Sequence, residues 1–95
     1  MEYIISEDQL DDLRRIAMDY NEGYDNVRTH YSGRFMFGAQ CIAIDLDLQS
    51  DFNQILSRID DDELRMQLET RATWDQMGLG LIVYFPRMKV ADDED

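Results

Sequence analysis

Cys41-Ile42-Ala43-Ile44-Asp45-Leu46-Asp47-Leu48 is the stretch that decides the fold. Ile42, Ile44, Leu46 and Leu48 recur at every second position, the period of a strand with one apolar face. Alternation sends Asp45 and Asp47 the other way, which predicts one buried face and one solvated acidic face. Upstream, Val27, Thr29 and Tyr31 alternate in the same manner, and Ser32-Gly33 and Gly38-Ala39 interrupt the run. The reading is two strands, roughly 26–37 and 40–48, joined as a hairpin or an irregular bulged pair. Downstream, Leu81-Ile82-Val83-Tyr84-Phe85 is a continuous apolar run closed by Pro86. It is too short for a helix and suits a strand at or next to the centre of a sheet.

Helical signals surround these strands. Ser6 and Gln9 form a capping box, with Ile5 and Leu10 placed as a hydrophobic staple, so a first helix starts near Glu7. Leu10, Leu13, Ile16, Ala17 and Tyr20 give it one apolar stripe, Asp11, Asp12, Arg15 and Asp19 lie opposite, and Gly23 is its expected left-handed stop. Ser50 or Asp51 is expected to cap a second helix carrying Phe52, Ile55, Leu56 and Ile59. Asp60 with Glu63 fits a capping box for a third, running through Leu68 and Ala72 toward Trp74 and ended by Gly78 and Gly80. Alternating strands and amphipathic helices each need the other to cover an apolar surface. The expected fold is α+β: a three- or four-stranded, mainly antiparallel sheet, with residues 2–5 as a further candidate strand and two or three helices on one face. Residues 1–90 form one acidic domain, and 91–95 a disordered acidic tail.

Composition narrows the function. The chain has 95 residues, and 9 basic against 21 acidic side chains give a net charge of −12. Direct binding to nucleic acid or to an anionic membrane is disfavoured, and basic protein surfaces are attracted. No apolar run approaches the ~20 residues needed to cross a bilayer, and the start of the chain lacks the basic residues of a secretory signal, so the cytoplasm is the expected location. A lone cysteine, Cys41, forms neither an internal disulfide nor a zinc site nor a CxxC redox pair. Eight of the nine cations are arginines, expected as structural partners, with Arg65 spaced to reach Glu69.

The carboxylates are the candidate site. Asp11, Asp12 and Asp19 fall on the first helix, Asp45 and Asp47 on a strand, and Asp51, Asp60, Asp61, Asp62 and Glu63 around the second and third helices. A net charge of about 2 to 8 in magnitude is ample for the solubility of a small domain, and −12 exceeds it. Duplex DNA carries about one charge per 1.7 Å of axis, and carboxylates on rigid elements can imitate that array toward a protein built to hold phosphate. Cation binding is the rival use of the same side chains. Asp45-x-Asp47-x-Gln49-x-Asp51 has the start of a calcium loop, yet its sixth position is Ser50 and its twelfth Leu56, which excludes an EF-hand. Asp60 to Asp62 could hold magnesium through water, but three adjacent residues at a helix start project in different directions. His30 and Cys41 allow a Cys-His pair by count alone, in an environment too acidic to favour a thiolate. No cofactor motif is present, and a non-enzymatic protein is expected.

Tyr31-Ser32-Gly33-Arg34-Phe35-Met36-Phe37-Gly38-Ala39-Gln40-Cys41 is the most distinctive segment. As a pattern, SGRxMxG followed by Cys resembles short proteins of bacteriophages and mobile elements. Among these are small acidic inhibitors of host defence, including DNA-mimic antirestriction and anti-CRISPR proteins. The resemblance implies a phage-encoded inhibitor whose partner is the basic nucleic-acid-binding surface of a host defence complex, acting in the bacterial cytoplasm. A small magnesium-dependent carboxylate enzyme and an acidic structural or assembly subunit are the alternatives. An exposed patch of Trp74, Met77 and Phe85 would instead serve a homodimer.

The tail generates a first prediction. Deleting residues 92–95 removes four mutually repelling charges from a body that stays net negative. The melting temperature should be unchanged or slightly raised in a thermal scan of the truncated chain; a marked loss of cooperative melting would show that the tail docks.

Overall fold

In the computed structural model, which describes residues 1–91 and the backbone alone at 77, the chain runs β1 (Tyr3–Ile5), α1 (Glu7–Tyr20), β2 (Val27–Tyr31), β3 (Cys41–Leu46), α2 (Gln49–Ser57), α3 (Asp62–Arg71), β4 (Thr73–Met77), β5 (Gly80–Phe85) and β6 (Met88–Val90). Of the tail 91–95 expected to be disordered, Ala91 is held instead by its N–H on the Ile5 carbonyl (2.9 Å), and residues 92–95 lie outside the described residues.

The fold is α+β, built on a four-stranded antiparallel sheet of order β2-β3-β5-β4. β3 and β5 are the inner strands, in register from Ile42 opposite Phe85 to Leu46 opposite Leu81. One face of this pair, Ile42, Ile44, Leu46, Val83 and Phe85, packs against Leu13, Ile16 and Ala17 of α1, Phe52, Ile55 and Leu56 of α2, and Leu64 and Leu68 of α3. Residues 2–5 do not join that sheet. β1 instead pairs in parallel with β6, Tyr3 opposite Met88 and Ile5 opposite Val90, as a separate two-stranded sheet. β6 was not expected at all, because three residues are too few to display a period.

Local capping accounts for the helix ends, with two shifts from expectation. The Ser6 box forms as read: the Ser6 hydroxyl accepts from the Gln9 N–H (3.1 Å), and Gln9 Oε1 accepts from the Ser6 N–H (3.0 Å). At the other end of α1 the left-handed turn begins at Glu22 (φ 56°) and continues through Gly23 (φ 95°), whose N–H reaches the Met18 carbonyl (2.7 Å). α2 starts earlier than expected. Leu48 is its N-cap, and Asp51 serves from the third helical position by accepting the Leu48 N–H (3.0 Å). The N-cap of α3 is Asp61, not Asp60; its carboxylate accepts from the Leu64 N–H (3.0 Å). Arg65 turns back toward Asp62 and the Ile59 carbonyl instead of forward to Glu69.

Three larger corrections concern the sheet. First, α3 stops at Arg71 and residues 73–77 are a strand rather than more helix. The Arg71 guanidinium bonds the Gln67 side chain and the carbonyls of Pro86 and Met1, each at 2.8 Å, which fixes the corner from which β4 departs. Gly78 (φ 58°) then serves the β4–β5 turn instead of a helix terminus. Second, β2 ends at Tyr31, short of the expected 37. Third, the face opposite the helices is not an open acidic surface. Cys41, Ala43, Ile82 and Tyr84 are buried there with Tyr31 and Met36 packed against them.

The segment 32–40 makes that second cover. Two successive turns, closed by Met36 N–H to Gly33 carbonyl and Ala39 N–H to Met36 carbonyl (both 3.0 Å), fold it back over the sheet. Asp75 on the edge strand β4, 8% exposed, accepts from the Tyr31 hydroxyl (2.7 Å) and the Arg34 N–H (3.1 Å) and pairs with the Arg34 guanidinium (3.5 Å). Gly33 lies against the face of the Tyr84 ring so closely that a Cβ would occupy space the ring already fills. Gly33→Ala should therefore cost about 1–3 kcal/mol in urea unfolding, the range for overpacking a filled site; an unchanged midpoint would mean that the segment lifts from Tyr84 without penalty.

Candidate functional site: an acidic cleft beside the sheet

A cleft of about 470 Å³ opens where the end of α1, the 24–26 connection, the end of β3 and the start of β5 meet. Its formation follows from the strand arrangement. Asn26 extends the β2–β3 pairing past Val27, because the Asp45 N–H donates to the Asn26 carbonyl (3.0 Å) and Asn26 Nδ2 donates to the Asp45 carbonyl (2.8 Å). Asp45 is thereby held at the wall, Asp47 follows just past the strand, and Asp51 comes in from the first turn of α2.

Four carboxylates line this cleft: Asp25, Asp45, Asp47 and Asp51. Arg28 Nε (3.2 Å) and Nη2 (2.9 Å) both donate to Asp45 Oδ2. Arg14 takes Asp25 (2.9 Å). Asp51 accepts from the Tyr20 hydroxyl (2.7 Å), which ties α1 to α2 and raises the Tyr20 pKa, first through this hydrogen bond and then through burial. Asp47 is exposed and has no cationic partner among the described residues. Among the described residues Asn26 Oδ1 and Asp45 Oδ1 are buried acceptors with no donor, so they add negative potential to the wall, offset at Asp45 by Arg28 on the other carboxylate oxygen. With Tyr24 exposed on the rim, the cleft has the chemistry to receive a guanidinium or ammonium group.

The ten residues singled out in the sequence fall into three places. Asp45, Asp47 and Asp51 share the cleft. Asp11 and Asp19 line a shallow depression along α1 with Glu22, and Asp12 pairs with Arg15 on the same helix (3.2 Å). Asp60, Asp61, Asp62 and Glu63 occupy the corner between α2 and α3. Asp61 there is structural: besides capping α3 it accepts from Gln9 Nε2 (3.1 Å), and the Leu64 N–H, then Gln9, hold its carboxyl below the usual range. Asp25, Tyr20 and Tyr24 were not identified from sequence, since only the topology brings them beside Asp45.

Other candidate chemistry is resolved by geometry. The Cys41 thiol is buried, its pKa raised by that burial, and it donates to the Tyr31 carbonyl (3.4 Å). The ring of His30 is engaged with the Thr29 hydroxyl (2.9 Å), so the two residues form no Cys-His pair. Burial and the bond to Asp75 push the Tyr31 phenol up to about 12. Among the described residues no three His, Cys, Asp or Glu side chains converge as a metal site, and no helix is long and apolar enough to cross a membrane. Comparison with protein-family models, curated proteins and solved structures returns no match to this chain.

The Asp61 cap gives a prediction with a definite sign. A carboxyl whose pKa is depressed on folding contributes stability above its unfolded pKa, and loses it as pH falls from there through the folded value. Asp61→Ala should cost about 1 kcal/mol at neutral pH and flatten the acid limb of stability, whereas Asp61→Asn keeps most of the cap and also flattens that limb. Urea unfolding of the three proteins across the acidic range checks both statements.

Proposed function

We propose that this chain is a non-enzymatic acidic interaction protein of the phage anti-defence type, antirestriction or anti-CRISPR. It presents carboxylates to the basic nucleic-acid-binding surface of a host defence complex. The observation that supports the reading is how the charges are distributed. Seven of the nine cations are taken up in ion pairs within the chain: Arg14, Arg15, Arg28, Arg34, Arg58, Arg65 and Lys89. Arg71 is engaged by Gln67 and two carbonyls. Of the seventeen acidic residues before the tail, ten have no cationic partner among the described residues, including Asp11, Asp47, Asp60 and Glu63. Most of these unpaired carboxylates lie on helices or at a helix cap, elements of regular backbone geometry.

Such an array steers a basic partner into encounter, and apolar contacts then set the residence time. Purified CRISPR effector complexes and restriction enzymes, assayed for binding to their DNA targets, test the reading. The chain should displace DNA from at least one of them, bind no DNA itself, and lose potency steeply as salt rises. Asp47→Asn, Asp60→Asn and Glu63→Gln combined remove three unpaired charges without touching a cap or an ion pair. At ~0.5 kcal/mol per exposed charge, the inhibition constant should rise about tenfold with melting unchanged. Inhibition insensitive to salt and to these substitutions, or binding that tolerates bound DNA, would refute the proposal.

A further inference from the structure

The acidic cleft combines carboxylates that no cation neutralises with apolar side chains that nothing covers. Asp25 and Asp45 are taken by Arg14 and Arg28. Asp47 has no cationic partner among the described residues, and Asp51 accepts from neutral donors, the Tyr20 hydroxyl and the Leu48 N–H. Asn26 lines the same wall and is only 9% exposed. Its Nδ2 is committed to the Asp45 carbonyl, so the amide cannot turn over, and Oδ1 stays an acceptor with no donor among the described residues. A buried amide oxygen in that state is costly until a donor reaches it. Positive charge and N–H donors are thus wanted at one place.

Apolar side chains adjoin that place. In the β3–β5 ladder Leu46 lies opposite Leu81, so both strands leave the same end of the sheet, one into Asp47 and Leu48, the other back to Gly80 and Leu79. Asp47 and Gly80 line the cleft. Leu48 beside the first is exposed, and Leu79 beside the second stands fully exposed on the β4–β5 turn. Tyr24 lines the cleft and is exposed as well. A free small cation would leave these three side chains in water, whereas a protein surface that brings its own cation covers them.

We propose that the cleft holds an arginine side chain of a partner protein, its guanidinium between Asp47 and Asp51 and against the Tyr24 ring, with Leu48 and Leu79 covered by the partner's surface around that arginine. Arginine fits this site better than lysine. Its planar fork of five N–H donors serves two carboxylates at once and leaves a donor for the Asn26 oxygen, and its plane stacks on an aromatic ring. It is also less strongly hydrated than an ammonium group, so an apolar rim costs it less. Surfaces that hold phosphate are rich in arginine for the same bidentate geometry. The inference rests on the reading of this chain as a ligand for basic protein surfaces, and names where one residue of such a surface is anchored.

NMR titration of the isotope-labelled full chain tests it, with end-capped Leu-Arg-Leu and Leu-Lys-Leu tripeptides and methylguanidinium as probes. Leu-Arg-Leu should shift the amides of Asn26, Asp47 and Leu81 saturably, and bind about threefold or more tighter than either other probe. Asp47→Asn should weaken that tripeptide about fivefold or more and Tyr24→Ala about threefold. Both positions are exposed, so circular dichroism should show the fold unchanged. Leu79→Ser should weaken the tripeptide and leave methylguanidinium as it was. Met66→Gln, exposed on α3, which contributes nothing to the cleft, should alter neither. Shifts spread over the acidic surface without saturation, or equal binding of the two tripeptides, overturn the inference. Methylguanidinium bound as tightly as Leu-Arg-Leu also overturns it, since the occupant is then a free small cation. A chain that takes Leu-Arg-Leu in the cleft yet displaces DNA from no defence complex upholds the anchor and removes the anti-defence reading, whereas displacement of DNA with no tripeptide in the cleft removes the anchor alone.

Discussion

The pairing of β3 with β5 constrains everything else in this molecule. Ile42, Ala43, Ile44, Val83, Tyr84 and Phe85 are all essentially inaccessible to solvent, which means that both faces of the central pair must be covered. A chain of this length has few elements to spare for two covers. The helices take one face, where Phe52 meets Trp74 edge-on (ring centroids 5.7 Å apart) and lies against Phe85. The other face receives Tyr31 and the segment 32–40 that follows it. A segment without regular structure can serve there because Asp75 satisfies a backbone N–H and a phenol at once, and because Gly33 admits the Tyr84 ring at close range.

Excess charge is accommodated by the same economy of means. Ion pairs are spent where carboxylates would otherwise crowd or be buried: Arg28 on Asp45 at the cleft wall, Arg34 on buried Asp75, Arg58 toward Asp19 while lying over the Tyr20 ring (5.1 Å). Exposed pairs add little stability each, so their main effect is to decide which carboxylates stay free. Among the described residues Asp47, Asp60 and Glu63 remain so, Asp47 and Asp60 in connections beside β3 and α3 and Glu63 in the first turn of α3, where a charge is displayed without disturbing the core.

What could be read from sequence was what neighbours in the chain decide. The Ser6–Gln9 box, the alternation of Ile42 to Leu46 and the apolar run before Pro86 are local signals, and each became the expected element. Thr73 to Met77, expected as helix, is a strand because its state depends on β5 beside it and on the Arg71 corner, both remote from its own periodicity. The solvated face expected for β3 failed for a related reason: Tyr84, which draws Gly33 over the sheet, lies far along the chain. In the candidate site, Asp45, Asp47 and Asp51 were visible as acids close in sequence, whereas Asp25 and Tyr20 join them only through the path of the chain between α1 and β2.

Covering the second face with a turn instead of a helix has a functional consequence. A helix would have turned one side inward and given its outer side to polar residues. Two consecutive tight turns cannot alternate so regularly: with Gly33 and Met36 committed inward, Phe35 and Phe37 are left pointing to solvent. Apolar exposure at that point is therefore produced by the same geometry that seals the sheet. The carboxylates lie elsewhere, on the cleft, on α1 and at the α2–α3 corner. Exposed carboxylates and the exposed Phe35 and Phe37 rings thus lie on different surfaces of one small fold, produced by different parts of its geometry.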